Sequence, residues 1–294
     1  DSLDPLKNAV LEISAGGGFA GNPDGTQLTV DATGGYTLQA WIRLTSTDAS
    51  GSIMTKRNDE AGGAPDDFAL SLASGTLSFR YRAQDGISRM ATLGGVSISA
   101  TAGWVHVAVS VELDPTHVDY VNVTLYATVE GTEYSATQRT LGVVDVPTYG
   151  AFIVGAETTG STVPMQVDEI RLYDTVVPAA QIAAERVLPV TVLGLAAYYR
   201  FDDMGLTLED MTVPFIDTVN DAAEDRALKL SGNAVAVPLP SDSPDDATFD
   251  YFTADADGDL LLDFWELAQF GALDVAGNDP LMTLVNGWTD TDGD

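Results

Sequence analysis

From residue 36 to residue 173 apolar side chains recur at every second position in short segments, each closed off by Gly, Asp, Thr or Ser clusters. A two-residue period is what a strand with one buried face produces. Residues 104–112 (WVHVAVSVE) keep it most cleanly. Residues 36–44 (YTLQAWIRL) set Leu38, Ala40, Ile42 and Leu44 against Trp41 and Arg43 with less regularity. Further strands are expected over residues 68–72, 76–82, 151–156 and 166–173, and a hairpin over 121–130 and 134–141 around Glu130-Gly131. Residues 178–187 are the one helix-like stretch of this half, opened by a proline where a first turn tolerates it. Residues 193–202 read as another strand and 227–238 as a last strand or two. Many short strands with turn clusters between them specify an all-β antiparallel sandwich.

The charge is as uneven as the strand pattern is regular. The chain of 294 residues carries 44 acidic and 13 basic residues, a formal charge of −31, and 33 of the acids are Asp. From Tyr199 onward there are 22 acidic residues against 3 basic, and from Ser231 onward 14 against none. Such a field repels nucleic acid and anionic lipid, so neither is expected as a partner. The 45% hydrophobic content supplies a core for one large domain or two ordinary ones. No apolar run approaches the roughly 20 residues that span a bilayer, so membrane insertion by a helix is not expected. The absence of Cys excludes disulfide scaffolding, thiolate catalysis and zinc knuckles. The chain opens at Asp1, as it would after removal of a leader, so this start leaves secretion open.

Within the acidic half, residues 255–266 read DADGDLLLDFWE. Asp255, Asp257, Asp259, Asp263 and Glu266 fall at positions one, three, five, nine and twelve, and Leu261 would offer its carbonyl at position seven. That is the ligand spacing of an EF-hand-type calcium loop. The usual glycine is displaced to Gly258, at position four instead of six. An acidic linker could carry D-x-D-x-D alone, but here an apolar stretch with Phe264, Trp265 and Leu267 follows. It is expected to form a helix over 260–270, stopped by Gly271 and anchored by Trp265. A second copy starts at Asp290, Asp292 and Asp294 and is cut short, so the chain is expected to continue beyond it. Hard oxygen ligands favour Ca2+ over zinc or copper. Calcium loops also suit a secreted or cell-surface setting, where millimolar calcium fills weak sites.

Catalysis finds little to stand on. His106 and His117 are the only histidines, and no nucleophile elbow, zinc-protease motif or phosphate loop is present. No strand carries the alternating carboxylates of a glycoside hydrolase; Glu130, Glu133, Asp66 and Asp67 read as solvated loop residues. The chain is therefore expected not to be an enzyme. Five of the 13 basic residues lie between Lys56 and Arg89. Arg80 and Arg82 alternate with Phe79 and Tyr81, which puts both guanidiniums on one face of a strand. They could grip a carboxylated or sulfated glycan or simply pair with local Asp. Trp41 and Trp104 are expected in the core. The sequon Asn122-Val123-Thr124 lies within an expected strand and carries no weight.

Five segments in series, GYTLQAWIRL, GWVHVAVSVE, VTLYATVEGTEY, AFIVGAE and MQVDEIRLYDTVVPAAQI, resemble the strands of laminin G-like, concanavalin A-like jelly rolls over roughly residues 9–187. Val105 and Ala127-Thr128 depart from that pattern. GLAAYYRFDD at 194–203 is similar to the strand that opens such domains, so residues 191–240 either close this sandwich or begin another module. The acidic segment resembles thrombospondin type 3-like loops near the ends of large secreted bacterial proteins. The resemblance implies a concanavalin A-like jelly-roll sandwich over 1–240, a linker over 241–253 and a truncated calcium-binding appendage of loop and helix over 254–294. It also implies Asp168 as a candidate calcium ligand. The expected function is a non-catalytic structural or adhesive module of a secreted or cell-surface multidomain protein, stabilised by calcium. Its partners would be neighbouring domains or copies of the same protein. The alternative is a carbohydrate-binding module recognising an anionic glycan through Arg80 and Arg82, which an exposed aromatic pair beside them would favour.

Overall fold

The computed structural model describes residues 9–22, 35–47, 50–57, 67–142, 150–155, 162–186, 194–201, 207–208 and 228–238. The segments expected to form the calcium loop, its helix and the linker, and residues 290–294, lie outside them. The chain divides into two units, 1–179 with 194–242, and 180–193 with 243–294. Helix α1 (Ala179–Ala184) has all but its first residue in the second unit, where Gln181 donates to Glu185 at 2.8 Å.

The first unit is built from antiparallel strands. In chain order they are β1 (Ala9–Asn22), β2 (Tyr36–Leu44), β3 (Gly51–Lys56), β4 (Phe68–Ala73), β5 (Thr76–Arg82), β6 (Ser88–Thr92) and β7 (Trp104–Leu113). There follow β8 (Tyr120–Val129), β9 (Thr132–Leu141), β10 (Phe152–Val154), β11 (Met165–Tyr173), β12 (Leu195–Tyr199), β13 (Thr207–Leu208) and β14 (Leu228–Pro238). Every strand expected over 36–173 is present. β1, β3 and β6 were not legible: β1 runs through Gly16-Gly17-Gly18, β3 is buried along its whole length, and β6 (SRMAT) is short and polar. Local pattern cannot announce a strand whose faces do not differ.

β1 joins two layers. Its first half pairs with β11 (Leu11 opposite Val167) and its second half with β10 (Ala20 opposite Val154). One layer continues β11-β2-β7-β8-β9 and the other β10-β3-β4-β5-β6. β12 pairs with β11, and β14 runs along β1, so residues 195–199 and 228–238 belong to the same sheet system. The inward faces meet in one cluster. Leu38, Ala40, Ile42, Val105, Val107, Val109, Val123 and Leu125 of one layer lie with Phe68, Leu70, Leu77, Phe79 and Phe152 of the other. Rings cross the interface: Tyr36 of β2 sits 6.0 Å from Phe68 and 6.3 Å from Phe79, which stacks on Tyr81 at 6.3 Å. Each buried ring or aliphatic side chain contributes about 1.5–3 kcal/mol, so this interface dominates the stability.

The far edges of the layers are stapled by side chains. The Gln138 amide accepts from Thr92 N–H (3.2 Å) and donates to Thr92 C=O (3.1 Å), taking the place of a strand partner on the β6 edge. The Tyr81 hydroxyl meets Thr140 at 2.7 Å and donates to Gly142 C=O at 3.1 Å, while Arg89 donates to Leu141 C=O at 2.7 Å.

Between β7 and β8, Asp114 organises the loop that holds His117. Its Oδ1 accepts from Thr116 N–H (2.8 Å) and Thr116 Oγ1 (2.6 Å), and its Oδ2 meets Arg139 Nε at 2.5 Å. The Thr116 hydroxyl and amide, then Arg139 and His117, hold this carboxyl below its ordinary value. A depressed folded-state value means the stabilisation is complete above the unfolded value of about 3.9 and lost as pH falls through the folded one. The gap in melting temperature between the native chain and Asp114→Asn should therefore narrow as pH falls from about 6 to below 4. A difference that widens as pH falls through this range would contradict this assignment.

Candidate functional site

The period-two reading of β5 holds in the structure. Phe79 and Tyr81 are buried in the core and Arg80 and Arg82 are half-buried on the opposite face. Register puts Arg80 between Ala69 of β4 and Met90 of β6, and pairs Arg82 with Ser88. Small neighbours on β4 leave a depression of about 360 Å³, lined by Ser50, Ser71, Ser74, Ser78, Arg80 and Met90. No exposed aromatic stands on the described strands beside the arginines; the exposed apolar side chain there is Met90.

β4 and β5 are joined by two residues, Ser74 and Gly75, with φ of +50° and +80°. Positive φ at both central positions is what a tight hairpin of this hand requires, and only the second has the glycine that adopts it without strain. The turn is held from two sides: Ser74 N–H donates to Ser50 Oγ (2.9 Å) and Ile98 N–H to Gly75 C=O (2.8 Å).

Asp168 lies elsewhere, fully buried on β11 opposite Trp41. Between Asp168 and Arg171 two residues of β11 face one residue of β2, a bulge in which Glu169 has φ +53°. The extra residue resets the alternation, so Asp168 and Arg171 share the face away from the core while Val167, Ile170 and Leu172 point inward. Across from it β12 brings Tyr198, and Arg200 follows its last residue. The Glu169 carboxylate takes a short hydrogen bond from the Tyr198 hydroxyl, a short ion pair from Arg171, and Arg200 Nε at 3.4 Å. Burial first, and the Glu169 charge second, push the Tyr198 phenol well above its ordinary range. Asp168 Oδ1 accepts from Glu169 N–H at 2.9 Å, and among the described residues no three His, Cys, Asp or Glu side chains gather round a common centre. A calcium ion at Asp168 would draw on backbone oxygens rather than on a carboxylate cage.

Three expectations need correction. Trp41 and Trp104 stand on the outward face of β2 and β7 and are only half-buried, because Ala40, Ile42 and Val105 take the core side. Trp41 packs edge-on against His106 at 5.2 Å, and that histidine is buried. Asp67 is not solvated: it is 4% exposed, its backbone bonds to Lys56 and Arg82, and its charge acts on the buried Tyr36 phenol. Glu130 and Glu133 are exposed at the β8–β9 hairpin, as expected. Sequence reasoning missed Glu169, Arg171, Tyr198 and Arg200; the available signal was the charged pair in DEIR facing YYR, visible only once β12 is known to pair with β11.

A family profile described as the concanavalin A-like lectin/glucanases superfamily matches residues 18–183. No curated protein matches in sequence. Among solved structures, a candidate carbohydrate-binding protein from Bacteroides ovatus is similar at 14% identity with a TM-score of 0.51; the match covers 79% of this chain and 60% of that one. A SAP-like pentraxin from Limulus polyphemus (13% identity, TM-score 0.43) matches over 62% of this chain and 83% of its own. The Ruminococcus gnavus IT-sialidase CBM40 bound to α2,3 sialyllactose (18% identity, TM-score 0.41) matches over 60% and 95%. At these identities the likeness is one of fold. With a profile match over more than half of its length, on strands and core of this order, the chain belongs to the concanavalin A-like lectin/glucanases superfamily.

Proposed function

We propose that this chain is a non-catalytic carbohydrate-binding module of a secreted or cell-surface protein, that it takes an anionic glycan at Arg80 and Arg82, and that calcium braces its acidic C-terminal segment. The observation that carries the reading is Arg80 at the rim of a hydroxyl-lined depression on the outward face of β4–β6. Guanidinium forks suit carboxylate and sulfate, and serine hydroxyls both donate to and accept from sugar hydroxyls. A non-catalytic role is supported by the placement of the carboxylates: Glu130 and Glu133 stand on an open hairpin, and Glu169 is engaged by Arg171 and Arg200. On a glycan array, sulfated or uronic-acid glycans should bind, and Arg80→Ala with Arg82→Ala should weaken them about tenfold or more. Binding of neutral glycans only, or none, would sink the proposal.

The calcium part rests on the spacing of Asp255, Asp257, Asp259, Leu261, Asp263 and Glu266. A cation that binds the folded loop and not the unfolded chain stabilises by about 2.7 kcal/mol at a hundred times its dissociation constant. Millimolar calcium should raise the melting temperature, EDTA should reverse it, and Glu266→Gln should remove the response. Magnesium serving as well as calcium, or no shift at all, would count against the loop.

A further inference from the structure

Beside the Arg80 depression lies a second of about 330 Å³, with Thr47, Ser97, Ser99 and Thr101 in its wall. The two share Ser50 and Ser74, so the tip of the β4–β5 hairpin forms a low ridge between them. We propose that they act as one groove with two subsites, an acidic-sugar subsite at Arg80 and a neutral-sugar subsite at Ser97–Thr101, and that Ser74 touches both rings. This rests on the carbohydrate reading and adds the order of sugars it selects.

The walls differ in one respect that decides chemistry. The first contains a guanidinium and the exposed methionine Met90; among the described residues of the second are hydroxyls, Ile98 and Ala100, and none of these is ionisable. Hydroxyls recognise polyols in either hydrogen-bonding sense, but they cannot neutralise a desolvated carboxylate, which needs a charged donor. Each space lies at the lower end of the range that holds a small ligand, so each suits one ring rather than an oligosaccharide.

The groove is also rigid. Ser50 Oγ accepts the Ser74 amide at 2.9 Å, Ile98 N–H holds Gly75 C=O at 2.8 Å, and Leu93 N–H holds Leu77 C=O at 2.8 Å. A Cβ on Gly75 would come within 2.5 Å of Ser97 Oγ, so the segment bearing the second subsite is packed directly on the turn. The first bond engages a hydroxyl and the other two hold the main chain, so the walls lose little freedom on binding. Ser74 keeps a left-handed φ of +50° where glycine would sit without strain. A strained residue at a ridge common to two pockets points to a use for its hydroxyl.

The test uses the full chain on an array that pairs each acidic disaccharide with its carboxyl-reduced counterpart, followed by calorimetry with a hyaluronan tetrasaccharide and with glucuronic acid alone. Acidic sugars joined to a neutral neighbour should lead, and Arg80→Ala should erase the preference over the reduced forms. Ser99→Trp, at an exposed position, should fill the second subsite, cutting tetrasaccharide binding about tenfold while sparing glucuronic acid. Ser74→Gly should melt at or above the native temperature yet bind the tetrasaccharide several-fold more weakly, about threefold or more. If acidic glycans bind but neither Ser99→Trp nor Ser74→Gly alters them, the groove is wrong and the lectin reading stands. If no glycan binds, both fall. Equal binding of the acidic and reduced forms overturns the division of charge between the subsites.

Discussion

Glu169→Ala is expected to be among the most damaging single substitutions in this chain. The Glu169 carboxylate is the shared partner of Arg171, Arg200 and the Tyr198 hydroxyl, and all four residues are at most 5% exposed. Removing one partner of a buried ion pair leaves the others charged and dehydrated, at a cost of about 3–5 kcal/mol. In a domain of this size that corresponds to a fall in melting temperature of about 6–20 °C. Glu169→Gln separates charge from shape, since it keeps hydrogen-bonding oxygen but not the charge, and it should fall between the two. The backbone adds a second point. Glu169 holds φ +53°, a conformation that costs a non-glycine residue of order 1–3 kcal/mol and is kept only where its surroundings fix it. Here Asp168 Oδ1 accepts the Glu169 N–H at the bulge while Arg171 and Arg200 hold its carboxylate. Urea denaturation is the measurement; a loss under about 1 kcal/mol for Glu169→Ala would mean that water reaches the guanidiniums and that the cluster is not dry.

Phe79→Ala should cost a similar amount by a different route. Its ring lies 6.3 Å from Tyr36, 6.0 Å from Phe68 and 6.3 Å from Tyr81, bridging β4 and β5 to β2 of the opposite layer. Truncating a buried Phe removes its transfer energy and leaves a cavity, together about 3–5 kcal/mol. Phe79→Leu keeps most of the volume and should lose about half as much or less. Because Arg80 is the next residue on the same strand, a second readout follows. Phe79→Leu should leave acidic-glycan affinity within about twofold while lowering stability, since the two side chains leave the strand on opposite faces. Large losses of binding by Phe79→Leu would show that the strand itself shifts.

Which residues share a face could be read directly from the chain. The division of Arg80 and Arg82 from Phe79 and Tyr81, and the alternation of β7 and β8, follow from strand geometry alone, because successive Cβ atoms point to opposite sides whatever the strand packs against. The hairpin at Glu130-Gly131 was legible for a related reason: a two-residue turn needs a residue tolerant of positive φ, and the glycine marks it. β1 was hidden by its glycines, yet it is the strand that joins the layers.

Burial was not legible to the same degree. Trp41 and Trp104 were placed in the core on size and hydrophobicity, but period two allots one face to the core, and smaller residues hold it. Asp67 looked like a loop carboxylate and is buried beside Tyr36, since loop position says nothing about what later strands lay over it. The Glu169 cluster needed two events that no local window contains. A bulge turned Asp168 and Arg171 to one face, and a strand some thirty residues downstream delivered Tyr198 and Arg200. The sequence by itself determined which residues share a face within each strand that alternates, and the charge asymmetry, because these depend on covalent geometry and composition. The tertiary structure alone decided which face is inside, which charges neutralise one another and which hydroxyls meet at the β4–β5 turn, because those depend on contacts between residues far apart along the chain.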